Sequence, residues 1–438
     1  MPAHFVNAFQ RRFTGWLRVQ LAGRSGVHVA ALALVWLAMA TSGLVFTEPC
    51  PTDLVTIALI VLLPVVGLVR FGPALSLLLL VAGAAAAFGF VSAMGAYDIG
   101  KAITHTVVSL YLYGATIVFA AFIAAKPEAH CRLIFNGLTV AAVIAAATGI
   151  AGYFGVMPDA DLFTKFARAS GTFKDPNVFG PFLVPPLLYA LHTALERPLK
   201  RACLPLALAG FLALGVFLSF SRGAWMNMIV ALGVYIVLAL LTANSLARRQ
   251  KIAFLSVFSA GLVAAIVAGA LQIEQVSRLL ADRASVAQSY DVGPEGRFGG
   301  QEKAVALILE NPAGIGAQQF ALVHHHEEVH NVYLSMALNA GWLGAGLYTL
   351  MVAATMLAGF AYAFKRTPAQ PFLLIAIAAF TANAFEGVII DTDHWRHFYL
   401  LMAIVWGTVT ATQTIVAPKR MPVMRGRAPR LVAAYTVA

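Results

Sequence analysis

The 438-residue sequence predicts an all-α integral membrane protein of about twelve transmembrane helices, with an outer-face loop region containing short surface helices. Three observations predict it. Hydrophobic residues make up 60% and charged residues only 11%, against about 25% charged residues in soluble domains. The apolar residues fall in runs near the ~20 residues that carry a helix across a bilayer. The connections between the runs are alternately basic and acidic, as expected of a chain oriented across a membrane.

The runs lie at about 27–46, 52–69, 73–93, 103–124, 133–154, 177–194, 203–220, 223–242, 252–272, 331–362, 371–390 and 395–415. Several are rich in Gly, Ala and Ser, which let membrane helices approach closely. Ala38-Met39-Ala40 mimics a signal-peptidase site, with Arg11-Arg12 upstream. The apolar run continues through Phe46, so the first span is expected to be retained. The segment RRFTGWLRVQLAGR places the N-terminus in the cytoplasm. Counting from it, the inside regions hold 20 Lys/Arg and 2 Asp/Glu; the outside regions and adjoining helix ends hold 10 and 17. The two balances, +18 and −7, return the chain's +11. The pI of 9.7 is therefore an orientation signal. It is not a nucleic-acid footprint, which needs a basic face with interleaved aromatics.

The expected layout is a basic cytoplasmic N-terminus (1–26), nine spans with an outer loop near 155–176 (27–272) and a periplasmic loop (273–330). Three further spans (331–415) and a basic cytoplasmic tail (416–438) complete it. Cys50 falls outside and Cys131 and Cys203 inside, so no outer disulfide is available. Inside connections are too short for a nucleotide-binding domain, and no P-loop or dinucleotide fingerprint is present. The chemistry is expected outside, without ATP.

In the periplasmic loop GGQEKAVALILENP has helical spacing, with Ala304, Leu307 and Ile308 on one face and Pro312 as its stop. Outer cations are few. Arg222, in SFSRGAWMN between two apolar runs, sits at or just below the outer surface, where a cation is costly and faces a cavity or partner. It either caps a helix C-terminus or snorkels to headgroups, or it meets an anionic ligand, for which a planar guanidinium suits diphosphate. Turn chemistry explains Ser170-Gly171 and Asp175-Pro176-Asn177 in SGTFKDPNVFG, but not the flanking Arg168 and Lys174.

His326-Glu327-Glu328-Val329-His330 matches the H-E-x-x-H zinc-protease pattern, with Asp391, Asp393 and His394 as possible third ligands. Zinc ligation needs both histidines on one helical face. The apolar helix begins only near His330. The alternative is that His330 acts alone, as an imidazole at a helix mouth able to take a proton from a hydroxyl. Glu327 and Glu328 point about 100° apart on a helix and read as solvated.

SGTFKDPNVFG, SRGAW, the block from Arg297 to ENPAGIGAQQF, and HNVYLSMALNAGWLGAG occur in this order and spacing. Together they resemble the bacterial O-antigen ligase and polysaccharide polymerase family of membrane glycosyltransferases. The resemblance implies about twelve spans and transfer of a glycan from an undecaprenyl-diphosphate carrier to an acceptor hydroxyl, without a metal or other cofactor. The acceptor it implies is lipid A-core in ligases and another carrier-linked repeat unit in polymerases. It implies His330 as the base and Arg222, Arg297 and Arg168 as donor diphosphate ligands. Lys174 is expected to join them, with Asn331, Tyr333 and Asn177 in support. Two positions depart from the family pattern: Asn339, where an acidic residue is frequent, and Gln301, near a frequent tryptophan. The expected protein is an inverting inner-membrane glycosyltransferase of surface-polysaccharide assembly, facing the periplasm. A lipid-linked glycan flippase and an intramembrane zinc protease are the alternatives. A flippase would want charges within the spans; Glu386 is the exception in spans otherwise nearly free of charge.

Overall fold

The structure, a computed structural model, describes residues 26–284, 293–294 and 296–416. The expectations for the basic N-terminal segment and the C-terminal tail lie outside the described residues. Each of the twelve apolar runs is a helix: α1 (Gly26–Thr41), α2 (Pro51–Val65), α3 (Pro73–Ala93), α4 (Ile99–Ala125), α5 (Pro127–Tyr153), α6 (Pro176–Glu196), α7 (Cys203–Leu218), α8 (Arg222–Thr242), α9 (Leu246–Ala270), α12 (Val332–Ala363), α13 (Gln370–Glu386) and α14 (Arg396–Val416). Between α9 and α12 lie α10 (Glu274–Ala284) and α11 (Arg297–Glu310). Seven of the helices, α3–α6, α8, α9 and α12, are long and apolar enough to cross a membrane; α1, α2, α7 and α13 are shorter apolar helices.

The most extensive packing joins α4 to α14, α3 to α12, α6 to α7 and α8 to α13. Helix α13 is the centre: from Phe372 to Ala384 every residue is buried. Helix α9 is the opposite case, with only Ile252, Leu255 and Ala270 buried and Phe254 and Val257 exposed, the pattern of a helix facing lipid.

The connections segregate as the charge alternation predicts. At one end Val45 N–H donates to Thr172 O (2.8 Å), Asp98 N–H to Gln319 Oε1 (2.8 Å) and His330 N–H to Asp391 Oδ2 (3.1 Å), and Arg168 Nε donates to Ser219 O (2.7 Å). At the other end Lys251 donates to the carbonyls of Leu195 and Arg197, and Arg248 and Arg366 line one crevice. Arg396 grips Asp53 with two hydrogen bonds (2.7 and 2.8 Å), a fork geometry that locks α14 to α2 at the first end.

The 155–176 loop is more ordered than turn chemistry alone suggests, with β1 (Thr164–Lys165) paired antiparallel to β2 (Arg168–Ala169). The run 331–362 is one helix broken at Gly341, whose φ of 69° interrupts it. The loop after α11 crosses there: a Cβ on Gly341 would lie 2.6 Å from Pro312 O, and Trp342 N–H donates to that carbonyl (2.9 Å). Only glycine combines this φ with so close a backbone approach. The expected face of α11 is confirmed, with Ala304, Leu307 and Ile308 packed against Phe320, Val329 and Leu338.

Candidate active site

Several helix ends and one hairpin meet at the end of the bundle that carries the long loops. Asn331 is the N-cap of α12, its Oδ1 accepting from the N–H groups of Tyr333 (3.1 Å) and Leu334 (3.3 Å). This capping is what Asn at that position does well, and it sets His330 immediately before the helix. His330 itself has φ 54°, a left-handed conformation unusual for a side chain of this size. Three contacts hold it there. Its N–H donates to Asp391, its carbonyl accepts from Gln301 Nε2 (3.4 Å), and its ring Nε2 lies 3.5 Å from Glu327 Oε2. Strain of this kind costs about 1–3 kcal/mol and persists where surrounding contacts impose it.

The His330 ring is 29% exposed. Burial lowers its pKa and the Arg297 guanidinium lowers it further, against opposing pulls from Glu327 and Asp175. The lowered pKa favours the neutral imidazole, the form that accepts a proton. Glu327 is exposed, as its solvated reading expects, and lies 3.5 Å from His330; Glu328 is partly buried. Asp391 is the other partner. Burial pushes its carboxyl up to about 7, with Asp393 adding to the shift and Ser335 Oγ (2.5 Å) and His330 N–H opposing it.

Arg222 is the first residue of α8, behind N-cap Ser221. Its neighbour Gly223 faces the end of α13: a Cβ there would meet Glu386 Oε1 at 2.6 Å. Glu386 is fully buried and accepts from Asn227 Nδ2 (2.8 Å), which also donates to Asn383 Oδ1 (3.2 Å). The same end of α13 receives α12, through Tyr333 O–H to Ala384 O (2.8 Å) and Val332 N–H to Gly387 O (2.8 Å). Arg222 and His330 thus flank one helix end. Arg168 is 7% exposed and spends Nε on Ser219 O and Nη2 on Asn177 Oδ1 (2.8 Å), bracing the turn before Arg222. Lys174 stands apart, 3.7 Å from Glu48.

The zinc pattern loses its geometric basis. Residues 325–331 run as loop and bends, so His326 and His330 share no helical face. Among the described residues the group with metal-ligand spacing is His105, Asp393 and His394. Its two imidazoles stack at 4.0 Å and 27°. His105 pairs with Asp393 (3.2 Å), and His394 Nε2 with Ser109 Oγ (3.0 Å).

Sequence reasoning missed Asp175 and cast Asp391 only as a possible metal ligand. The signal for Asp391 was DTDHWRH, a dense polar run between two apolar helices; nothing in it indicates a bond to a backbone N–H 61 residues away. Gln301, a departure from the family pattern, supports the His330 carbonyl.

A helical bundle with membrane-length spans and a histidine–arginine cluster at one end defines a membrane protein with a polar site over its loop face. Residues 207–349, from α7 into α12, match the family model described as O-Antigen ligase, so this third of the chain is similar to that family and the motif resemblance has an independent match. The matched stretch contains Arg222, Arg297, His330, Asn331 and Tyr333; Arg168, Lys174 and Asn177 precede it. No curated protein matches the chain.

Proposed function

We propose that the protein is an inverting glycosyltransferase of the inner membrane. It moves a glycan from an undecaprenyl-diphosphate carrier to an acceptor hydroxyl on the periplasmic side. The observation that carries this reading is His330 at the mouth of α12, its pKa lowered by burial and by Arg297, with α8, which begins at Arg222, meeting the same end of α13.

A sugar diphosphate already carries its leaving group, so the reaction needs a placed hydroxyl, a base, and positive charge on the departing oxygens. His330 takes the hydroxyl proton as the acceptor oxygen bonds to the anomeric carbon, and the bond from that carbon to the phosphate oxygen breaks. Arg297 and Arg222 receive the charge that develops on the carrier diphosphate, and Arg168 with Asn177 positions the Arg222 turn. One base with an external nucleophile favours displacement from the opposite face, hence inversion; a carboxylate pair is not required. The guanidinium groups supply the charge that a metal ion supplies in other transferases.

Purified protein given carrier-linked glycan and acceptor is expected to form product in the presence of EDTA. Loss of activity restored by zinc would overturn the mechanism. Product analysis in a deletion strain then separates the acceptors. Uncapped lipid A-core with long carrier-linked chains identifies a ligase; single carrier-linked repeat units identify a polymerase.

The pH profile tests the base directly. Neutral His330 is the active form, so kcat/KM falls as pH drops through its pKa, which burial and Arg297 set below the ordinary value of about 6.5. Glu327→Gln removes a group that favours the imidazolium and moves the acid limb to lower pH. An acid limb unmoved in Glu327→Gln would remove Glu327 from the account.

A further inference from the structure

A cavity of about 320 Å³ opens at the outer-loop end between α1, α2, α4, α6 and α14. It adjoins His330 through shared residues: Asp391 lines it while accepting from the His330 N–H, and Asp175 lines it while acting on the His330 ring. Its volume lies at the lower end of the ~300–1,000 Å³ range of small-ligand sites.

The charge around its mouth differs from that on the arginine side. Two cations are present, Lys174 and Arg396, and both are matched, Lys174 by Glu48 (3.7 Å) and Arg396 by Asp53 (2.7 Å) and Glu48 (3.8 Å). Asp175 and Asp391 add further carboxyl groups. This rim has no surplus positive charge for a diphosphate. It has carboxyl oxygens that accept hydrogen bonds from hydroxyl groups.

The walls mix aromatic side chains, Phe173, Phe182 and Trp395 among them, with aliphatic ones such as Leu112, Leu138 and Val178. Among them His397, only 6% exposed, has a ring nitrogen, Nε2, with no hydrogen-bond partner among the described residues. An acyl or polyprenyl chain in this space would leave that nitrogen desolvated without a partner, which costs about 1–3 kcal/mol. A sugar satisfies both parts, its C–H face against the rings and its hydroxyls against the carboxyls and the imidazole.

We propose that this cavity is the acceptor subsite and takes the neutral, hydroxyl-bearing end of a glycan, while the donor diphosphate lies on the Arg297–Arg222 side. This rests on the reading of His330 as the base of a glycosyl transfer. It also moves Lys174 from the donor diphosphate to the acceptor rim.

Two experiments test it. A benzophenone amino acid replacing Phe182 in the full chain, irradiated in the host's own membranes, is expected to give an adduct whose mass includes sugar residues. An adduct with an acyl or polyprenyl chain lacking sugar overturns the proposal. His397→Leu is expected to raise the acceptor KM about 10-fold, the worth of one hydrogen bond, with the donor KM and the melting temperature unchanged. A rise in donor KM instead, or no rise in either, also overturns it. The crosslink reads occupancy without turnover, so a sugar adduct from a protein that transfers no glycan would overturn the functional reading and leave the subsite standing.

Discussion

Replacing His330 with asparagine is expected to lower kcat by ~10²- to 10⁴-fold, the usual contribution of a positioned general base. Asparagine is the informative choice because the position sits at φ 54°. Among non-glycine residues Asn adopts that region readily, so the backbone, the bond from His330 N–H to Asp391 and the cap at Asn331 can all survive. The melting temperature should therefore stay near that of the parent while transfer disappears. His326→Ala is the control: its side chain is more than half exposed, 4.0 Å from Glu327 and against the His325 ring. It should retain most activity. Equal losses in the two variants would revive a metal pair and sink the single-base mechanism.

Arg297→Ala is expected to cost ~10²- to 10³-fold in kcat, the loss seen when one preorganised charge or donor is removed from a developing anion. The same substitution has a second, opposite effect. Without the guanidinium the His330 imidazolium is less disfavoured, so the acid limb of the pH profile moves upward. The two effects separate on the plateau above that limb, where the base is neutral in both proteins and only the loss of donor stabilisation remains. Arg297→Lys should restore the position of the acid limb better than it restores kcat, since an ammonium keeps the charge but not the fork. Full recovery of kcat by lysine would count against a bidentate diphosphate contact. A plateau equal to the parent's would remove Arg297 from the chemistry altogether.

Arg168, a basic residue on the acidic side of the chain, is expected as an anion ligand; in the structure its Nε and Nη2 hold Ser219 O and Asn177 Oδ1. The proposed support of Asn177 to the site is thus a bond to an arginine, through which it acts on the turn that presents Arg222.

Much of the architecture was legible in the linear chain. Hydrocarbon thickness requires long apolar runs, and each of the twelve runs is a helix. The positive-inside bias required alternate loops to share a side, and Val45–Thr172, Gln319–Asp98 and His330–Asp391 join loops assigned to one face. The start of α12 was legible because the apolar run begins at about residue 331, where Asn331 caps the helix. Local chemistry of this kind acts over a few residues and leaves its mark in sequence order.

What tertiary packing alone decided is which distant groups meet. Asp175 acts on His330 from the start of α6, Asp391 reaches it from the loop after α13, and Arg396 is neutralised by Asp53, 343 residues earlier. Electrostatic fields and hydrogen bonds depend on separation in space. A membrane bundle brings helix ends together by side-chain packing, which no spacing along the chain encodes. Hydrophobicity, charge and capping therefore determine how many helices there are, how they alternate and where each begins. The identity of the imidazole's neighbours, and with it whether His330 is a metal ligand, a solvated side chain or a neutral base, comes from the packed bundle.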